Sequence, residues 1–345
     1  MKWIRAIIQA VIAIALGLSL HGVIAQETSP QYQPLSPSSG RQVQFPSKFC
    51  LGYWGNDFTC KDGTVSATLF EPQGPWSAVV LVSHGSQGLD QRHFEYADAL
   101  TRSGFAAAVI DHWTPRGVSQ ASQNYTQMTQ RGGTTSSIAT DAIFLAQHLK
   151  SQFPNIKKVG LIGESMGGIA VLQLAKQRMV ELFATGRLAA PGGTPFEFPI
   201  QAMASLYPGC FEQVVGERFN ATSLLMLVGE KDDHTLASHC VEYQDWINTH
   251  GGHAKTVVVP GAYHDFDAPH RATYNPRSQN LAKCRYIVTG ETMRLVDSGK
   301  ELPYNLAGQS QLPRECSRSG LWSGHAGNRF VAVPLWMDFF KKELQ

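Results

Sequence analysis

The chain has 345 residues, 43% of them hydrophobic and only 16% charged, against the ~25% charged of an average soluble domain. Its 29 Lys+Arg against 27 Asp+Glu leave a formal charge of +2, and 32 Gly with 18 Pro is ordinary usage. That composition excludes a disordered or collagen-like chain and offers no basic field of the kind nucleic-acid binding needs. The length allows one large α/β domain or two smaller ones.

At the N-terminus, Lys2 and Arg5 precede an apolar run from about Ala6 to Leu20, and Val23-Ile24-Ala25 supplies small or apolar residues for a cleavage site. This pattern predicts a secretory signal peptide over 1–25. The run carries Gln9 and falls short of the ~20 apolar residues of a spanning helix, so no stable membrane anchor is expected after cleavage. Both excess charges would leave with the segment. Residues 26–47, rich in Pro, Ser and Gln, read as an extended leader, and 48–345 as a single domain. Export changes the reading of the six cysteines, all at or beyond Cys50. An even number in an oxidising compartment implies disulfides, with sequential pairing the simplest guess: Cys50–Cys60, Cys210–Cys240 and Cys284–Cys316. No CxxC-type spacing suggests a metal.

Short β-rich runs then appear at Val65–Phe70, Ala78–Val82, Ala106–Ile110, Lys158–Ile162, Ala202–Tyr207, Leu224–Val228 and Thr256–Val259. Several are apolar throughout, as strands buried on both faces of a parallel sheet are. Helical spacing falls between them. Phe94, Ala97 and Leu100 share a face; so do Ile138, Ala142, Leu145 and Leu149. One helix is expected from Gly167 past Leu174 toward Phe183, and others over Ser238–Thr249 and Pro334–Leu344. The alternation predicts βαβ crossovers and one mostly parallel, doubly wound α/β sheet. Residues from about 271 to 330, rich in Asn, Gly, Arg and Ser, read as an irregular insertion.

Gly163-Glu164-Ser165-Met166-Gly167 sits between a strand and a helix, the context that gives G-x-S-x-G its meaning. A sharp strand-to-helix turn needs glycines where side chains would collide, and it lifts the serine hydroxyl clear of the sheet. A hydroxyl is a poor nucleophile at neutral pH and needs a base, which in turn needs an orienting acid. The turn Gly229-Glu230-Lys231-Asp232-Asp233 follows one strand, and Gly261-Ala262-Tyr263-His264 follows the next. Asp232 or Asp233 can supply the acid, with Asp232 preferred; His264 alone of twelve histidines has the required order and position. The backbone N–H groups of Met166 and Ser86 are the candidate oxyanion hole, Ser86 lying in the turn Ser83-His84-Gly85-Ser86. His84 precedes the serine and reads as a loop brace. After the fourth strand, Arg116 is a candidate for a substrate carboxylate or a brace for its own loop. Trp113 and Tyr125 are candidate pocket walls.

His84-Gly85, Asp111-His112-Trp113-Thr114-Pro115-Arg116-Gly117, Gly163–Gly168, Gly229–Asp233 and Gly261–Phe266 together resemble the dienelactone hydrolase family of α/β-hydrolases, over about 65–270. The resemblance implies an α/β-hydrolase fold without a large lid, acting on small esters or lactones. By motif position it puts the nucleophile on Ser165, the acid on Asp232 and the base on His264. The family's founding members carry cysteine in the elbow, whereas this chain has Ser165, which favours a serine esterase over a dienelactone-specific enzyme. The expected function is therefore a periplasmic or secreted serine hydrolase with no metal or organic cofactor. A peptidase or acyltransferase would use the same triad, and a non-catalytic binding protein of the same fold is the other alternative. Mass spectrometry of exported protein is expected to show a chain beginning at Gln26; retention of residues 1–25 would overturn the signal-peptide reading.

Overall fold

Consecutive apolar residues can be buried on both sides of a strand only when helices cover both faces of its sheet. In the computed structural model, which describes residues 35–51, 59–119, 125–189 and 196–345, such runs form the centre of the protein. The expected signal peptide and the leader up to residue 34 lie outside the described residues. The central sheet takes, in chain order, β1 (Arg41–Leu51), β2 (Thr59–Phe70), β3 (Ala78–Ser83), β4 (Ala106–Asp111), β5 (Lys158–Glu164), β6 (Ala202–Leu206), β8 (Ser223–Gly229) and β9 (His253–Val259). Their spatial order is β1-β2-β4-β3-β5-β6-β8-β9. β1 and β2 pair antiparallel, as do β2 and β4; the remaining neighbours are parallel.

Two helices, α1 (Gln91–Arg102) and α8 (Val333–Leu344), pack on one face around Phe94, Leu100, Trp336 and Phe340. The other face carries α3 (Thr135–Gln152), α4 (Met166–Leu174), α5 (Gln177–Ala184) and α6 (Ala237–Thr249), with Ile143, Leu149, Val171, Phe183 and Ile247 in its core. The short α2 (Tyr125–Gln130) precedes α3. This is the α/β-hydrolase arrangement, mostly parallel and covered on both faces, and the described residues fall in one compact unit. Among the described residues, no helix is long and apolar enough to cross a membrane.

Three features differ from the sequence reading. Residues 41–47, assigned above to the leader, begin β1; Val43, Phe45 and Ser47 point inward in strict alternation with exposed neighbours. The helix expected from Gly167 to Phe183 breaks at Lys176, where strand-like bonds replace helical ones. Asn220 N–H donates to Ala175 O (2.9 Å), and Gln177 N–H donates to Arg218 O (2.8 Å). The block at 271–330 is not irregular. It holds β10 (Thr273–Asn280), β11 (Tyr286–Thr289), β12 (Thr292–Leu295), β13 (Glu301–Pro303), α7 (Leu306–Cys316) and β14 (Arg318–Ser323). β10 pairs with β14, while β13, β12 and β11 form a sheet completed by β7 (Glu212–Val214) from the body. Tyr286, Val288, Met293, Leu295 and Leu302 give this block its own small core.

All three sequential cysteine pairs are bonded, and none of the described cysteines is free. Cys50–Cys60 joins facing residues of β1 and β2, Cys210–Cys240 ties the loop after β6 to α6, and Cys284–Cys316 closes the small core.

Arg116 lies inside the protein, which corrects its candidacy as a substrate ligand. Its guanidinium spans both carboxylate oxygens of Asp141 on α3 (2.8 and 3.0 Å), donates to His112 O (2.7 Å), and lies over the Phe49 ring. Asp141 also accepts from His112 and from the Ser47 hydroxyl, so the loop after β4 is bolted to α3 and β1. Burial raises the Asp141 carboxyl, but Arg116 and His112 outweigh it and hold the group ionised. Both side chains of the Arg116–Asp141 pair are fully excluded from solvent. Arg116→Met is expected to cost about 3–5 kcal/mol in urea unfolding, because it strands a buried carboxylate. Loss of the exposed Arg41–Glu71 pair through Arg41→Met should cost under about 1 kcal/mol. Equal costs would refute the distinction.

Candidate active site

β5 ends in the elbow. A Cβ on Gly163 would lie 2.4 Å from Gly167 O, and one on Gly167 would lie 2.7 Å from Ser83 O, so neither position admits a side chain. The crowding forces Ser165 to a φ of 46°, a conformation that costs a non-glycine residue on the order of 1–3 kcal/mol. Ser165 N–H donates to Leu206 O (2.9 Å) and Ser205 Oγ to Gly168 O (2.9 Å), which bind the turn to β6.

The structure brings Ser165, His264 and Asp232 into one line. Ser165 Oγ is 3.1 Å from His264 Nε2, and His264 Nδ1 is 2.8 Å from Asp232 Oδ2. Asp232 accepts in addition from His234 N–H (2.9 Å), Thr235 N–H (2.8 Å) and Thr235 Oγ1 (2.7 Å). Burial disfavours the His264 cation, but the Asp232 charge and hydrogen bond more than offset this and push its pKa up to about 9. Burial works against Asp232 as well, and the same partners leave its pKa below the usual carboxylate value.

Asp233 faces elsewhere. Its carboxylate accepts from Trp322 N–H (3.0 Å) and its carbonyl from Asn280 Nδ2 (2.8 Å), both in the 271–330 block. That block also donates Leu281 N–H to His234 Nδ1 (3.2 Å) and Gly324 N–H to His264 O (2.8 Å). Burial and the neighbouring His264 pull the His234 pKa down to about 3, so His234 is a neutral acceptor whose ring packs edge-on against the base at 4.6 Å. The loops bearing the acid and the base are thus buttressed from outside the central sheet.

Ser86 and Met166 line the same cleft as Ser165. Met166 occupies the first turn of α4, where an N–H has no intrahelical acceptor. The peptide carrying the Ser86 N–H is fixed at its other end. Gly85 O accepts from His84 Nδ1 (2.7 Å) and from Gly88 N–H (3.2 Å), while His84 Nε2 accepts from His112 N–H (3.1 Å). Burial, reinforced by His112 and His93, holds His84 neutral, which suits one donating and one accepting nitrogen. Trp113 is buried and does not line the cleft, a second correction; its Nε1 donates to Ser86 O (3.1 Å) and pins the same turn. The Tyr125 side chain lies outside the described residues.

Beneath the elbow lies a charge network with no sequence signature. Arg92 Nη1 donates to Glu164 (2.7 Å), to the Tyr207 hydroxyl (3.0 Å), and to Asp265 and Asp267 (3.2 Å each). It therefore joins the residue before the nucleophile to the loop after the base. Glu164, Asp265 and Asp267 approach one another closely enough to suggest a cation, and the Arg92 guanidinium among them supplies that charge. His93 Nε2 also contacts Glu164 (3.1 Å); burial opposes its cation, but the two carboxylates beside it push its pKa to about 9. Thr235 is the other residue missed from sequence, although an Asp followed three residues later by Thr is a recognisable turn motif.

A cleft of about 670 Å³ opens over Ser165 and His264, with one wall from the body and another from α7 and β10. A hydroxyl beside an acid-braced imidazole can attack a carbonyl carbon.

The model of the dienelactone hydrolase family matches residues 65–289. No curated protein matches the chain. Similar solved structures include the esterase Est1E from Butyrivibrio proteoclasticus with ferulic acid bound, at 15% identity and a TM-score of 0.41, covering 59% of this chain and 88% of that one. The dienelactone hydrolase from Anabaena variabilis shares 16% identity with a TM-score of 0.41, covering 66% and 90%. A Pyrococcus furiosus esterase shares 14% with a TM-score of 0.44, covering 67% and 87%. The family match spans most of the chain, and the protein belongs to the dienelactone hydrolase family of ester-acting hydrolases.

Proposed function

We propose that this protein is an exported serine esterase that opens carboxylic esters or lactones through an acyl-enzyme on Ser165. The observation that carries the reading is the continuous chain of contacts Ser165 Oγ–His264 Nε2 (3.1 Å) and His264 Nδ1–Asp232 Oδ2 (2.8 Å). With Nδ1–H donated to Asp232, Nε2 is left as an acceptor for the serine proton. As Oγ attacks, the carbonyl π pair moves onto oxygen, and the amides of Met166 and Ser86 receive the alkoxide. Collapse expels the alcohol, which takes the proton from His264. Water then repeats the sequence on the acyl-enzyme, releasing the acid and restoring Ser165. In a lactone the expelled hydroxyl remains part of the acyl group, and the second step releases a hydroxy acid. Export is supported by the N-terminal charge and apolar pattern together with three disulfides.

Ser165→Ala should lower kcat for p-nitrophenyl acetate by roughly 10⁴-fold or more and abolish labelling by a fluorophosphonate. Near-wild-type turnover in that variant would sink the mechanism. The pH profile gives an independent check. Only neutral imidazole accepts a proton, so a His264 pKa near 9 means that kcat/KM climbs with pH and levels off above about 9. Asp232→Asn removes the charge that raises this pKa and should move the rising limb toward lower pH while depressing its plateau. A wild-type limb near 6.5 that Asp232→Asn leaves in place would refute the pairing.

A further inference from the structure

The cleft does not stop at the nucleophile. Ile169, Leu172, Gln173 and Lys176 all line it. The spacing of Ile169, Leu172 and Gln173 places them on a single stripe of α4, which starts at the turn bearing Ser165, and Lys176 follows at the break beyond its end. At 1.5 Å per residue, α4 (Met166–Leu174) carries the stripe roughly 13 Å away from Ser165. The facing wall comes from the 271–330 block, where Leu312 of α7 and Leu281 look onto the same space.

Part of the polar lining along this groove is already committed. Gln173 Nε2 donates to Thr135 Oγ1 (3.2 Å). Lys176 is ion-paired with Glu212, whose carboxylate also accepts from the hydroxyls of Tyr286 (3.1 Å) and Tyr304 (3.0 Å). Gln309 Oε1 is the one lining side-chain oxygen found buried without a partner among the described residues. The apolar part of the lining includes Ile169, Leu172, Leu281 and Leu312, while β10 adds the exposed Asn275, Arg277 and Gln279. Its far end is closed by the buried Lys176–Glu212 pair.

The geometry points to this groove as an extended acyl subsite, so that the enzyme takes esters of medium- to long-chain aliphatic acids in preference to acetyl esters. A closed groove suits the part of the substrate that stays on Ser165 through the acyl-enzyme, while the alcohol leaves by the open mouth. The inference rests on Ser165 acting as the nucleophile.

Two measurements test it. The first is calorimetric titration of the unmodified mature protein with acetate, butyrate, hexanoate, octanoate and decanoate. Affinity should rise about fourfold per added methylene, the value for burying a CH₂, and then level off as the chain reaches the ion pair. Affinity independent of chain length would overturn the groove, whether or not the protein cleaves esters. The second is kcat/KM for p-nitrophenyl acetate against p-nitrophenyl decanoate. The decanoate should be favoured, and Leu312→Trp, at a half-buried position on the outer wall, should cut the decanoate-to-acetate ratio at least tenfold. Ile169→Trp, one turn from Ser165, should move the chain-length cut-off shorter than Leu172→Trp does. A wild type that prefers acetate, or a ratio unmoved by Leu312→Trp in protein of normal melting temperature, would refute the subsite. Failure of the nucleophile reading looks different: no ester of any length is turned over, while the titration still reports on the groove.

Discussion

The contact on which the rest of the site depends is the approach of Gly163 to Gly167 across the elbow. With 2.4 Å between a notional Gly163 Cβ and Gly167 O, the turn cannot relax into a regular helix start, and Ser165 is held at positive φ. Met166 then opens α4, and Glu164 is directed into the interior. The last consequence is costly in isolation, because a buried carboxylate needs compensation. Arg92 and His93 provide it from α1, and the Arg92 guanidinium extends to Asp265 and Asp267 beside the base. Strain at the nucleophile and placement of the base are thereby linked through one cation.

The 271–330 block acts on the same geometry from the opposite side. Asp233, His234 and His264 each accept a backbone hydrogen bond from it, so both loops that carry the acid and the base are clamped between the central sheet and the two small sheets. Gly324 N–H on His264 O fixes the backbone next to the imidazole. The block that positions the base also walls the cleft, so any change that repacks it for a new substrate also moves His264. Cys284–Cys316 and the Lys176–Glu212 pair restrict that movement at the far end of the groove.

Much of this was readable from residues alone, because it is local. The buried strands announce themselves as apolar runs, the elbow as glycines around a serine, and the bridges as cysteines that pair in order. What escaped depends on contacts distant in sequence. β1 carries Pro46 and several polar residues, and only its pairing with β2 shows that Val43, Phe45 and Ser47 face inward. β10 shows almost no buried positions, so it has no periodicity to detect, and its partner β14 lies beyond α7. Arg92 sits in an amphipathic helix like many surface arginines, and nothing in its neighbourhood reveals four acceptors arriving from three other segments. Of the two readings of Arg116 the loop brace holds, but its partner Asp141 belongs to a helix that the loop motif does not include.

The low charge content acquires a meaning from these contacts. A chain with only 16% charged residues places a notable share of them out of solvent, in three networks around Arg92–Glu164, Arg116–Asp141 and Lys176–Glu212. Buried pairs of this kind contribute little net stability, since desolvation offsets most of the Coulomb gain, and apolar replacements can match or exceed them. Their directionality is another matter. An apolar core tolerates sliding by a fraction of an ångström, whereas a guanidinium spanning two carboxylate oxygens accepts one arrangement. Each network joins segments that meet at the cleft. Arg92 joins the elbow to the base loop, Arg116 joins the loop behind Ser86 to α3, and Lys176 joins the end of α4 to β7 and, through the Glu212 carboxylate, to Tyr286 and Tyr304 of the 271–330 block. The near-neutral charge balance therefore says little about partners. The charges serve largely inside the protein, fixing where the loops of the site stand.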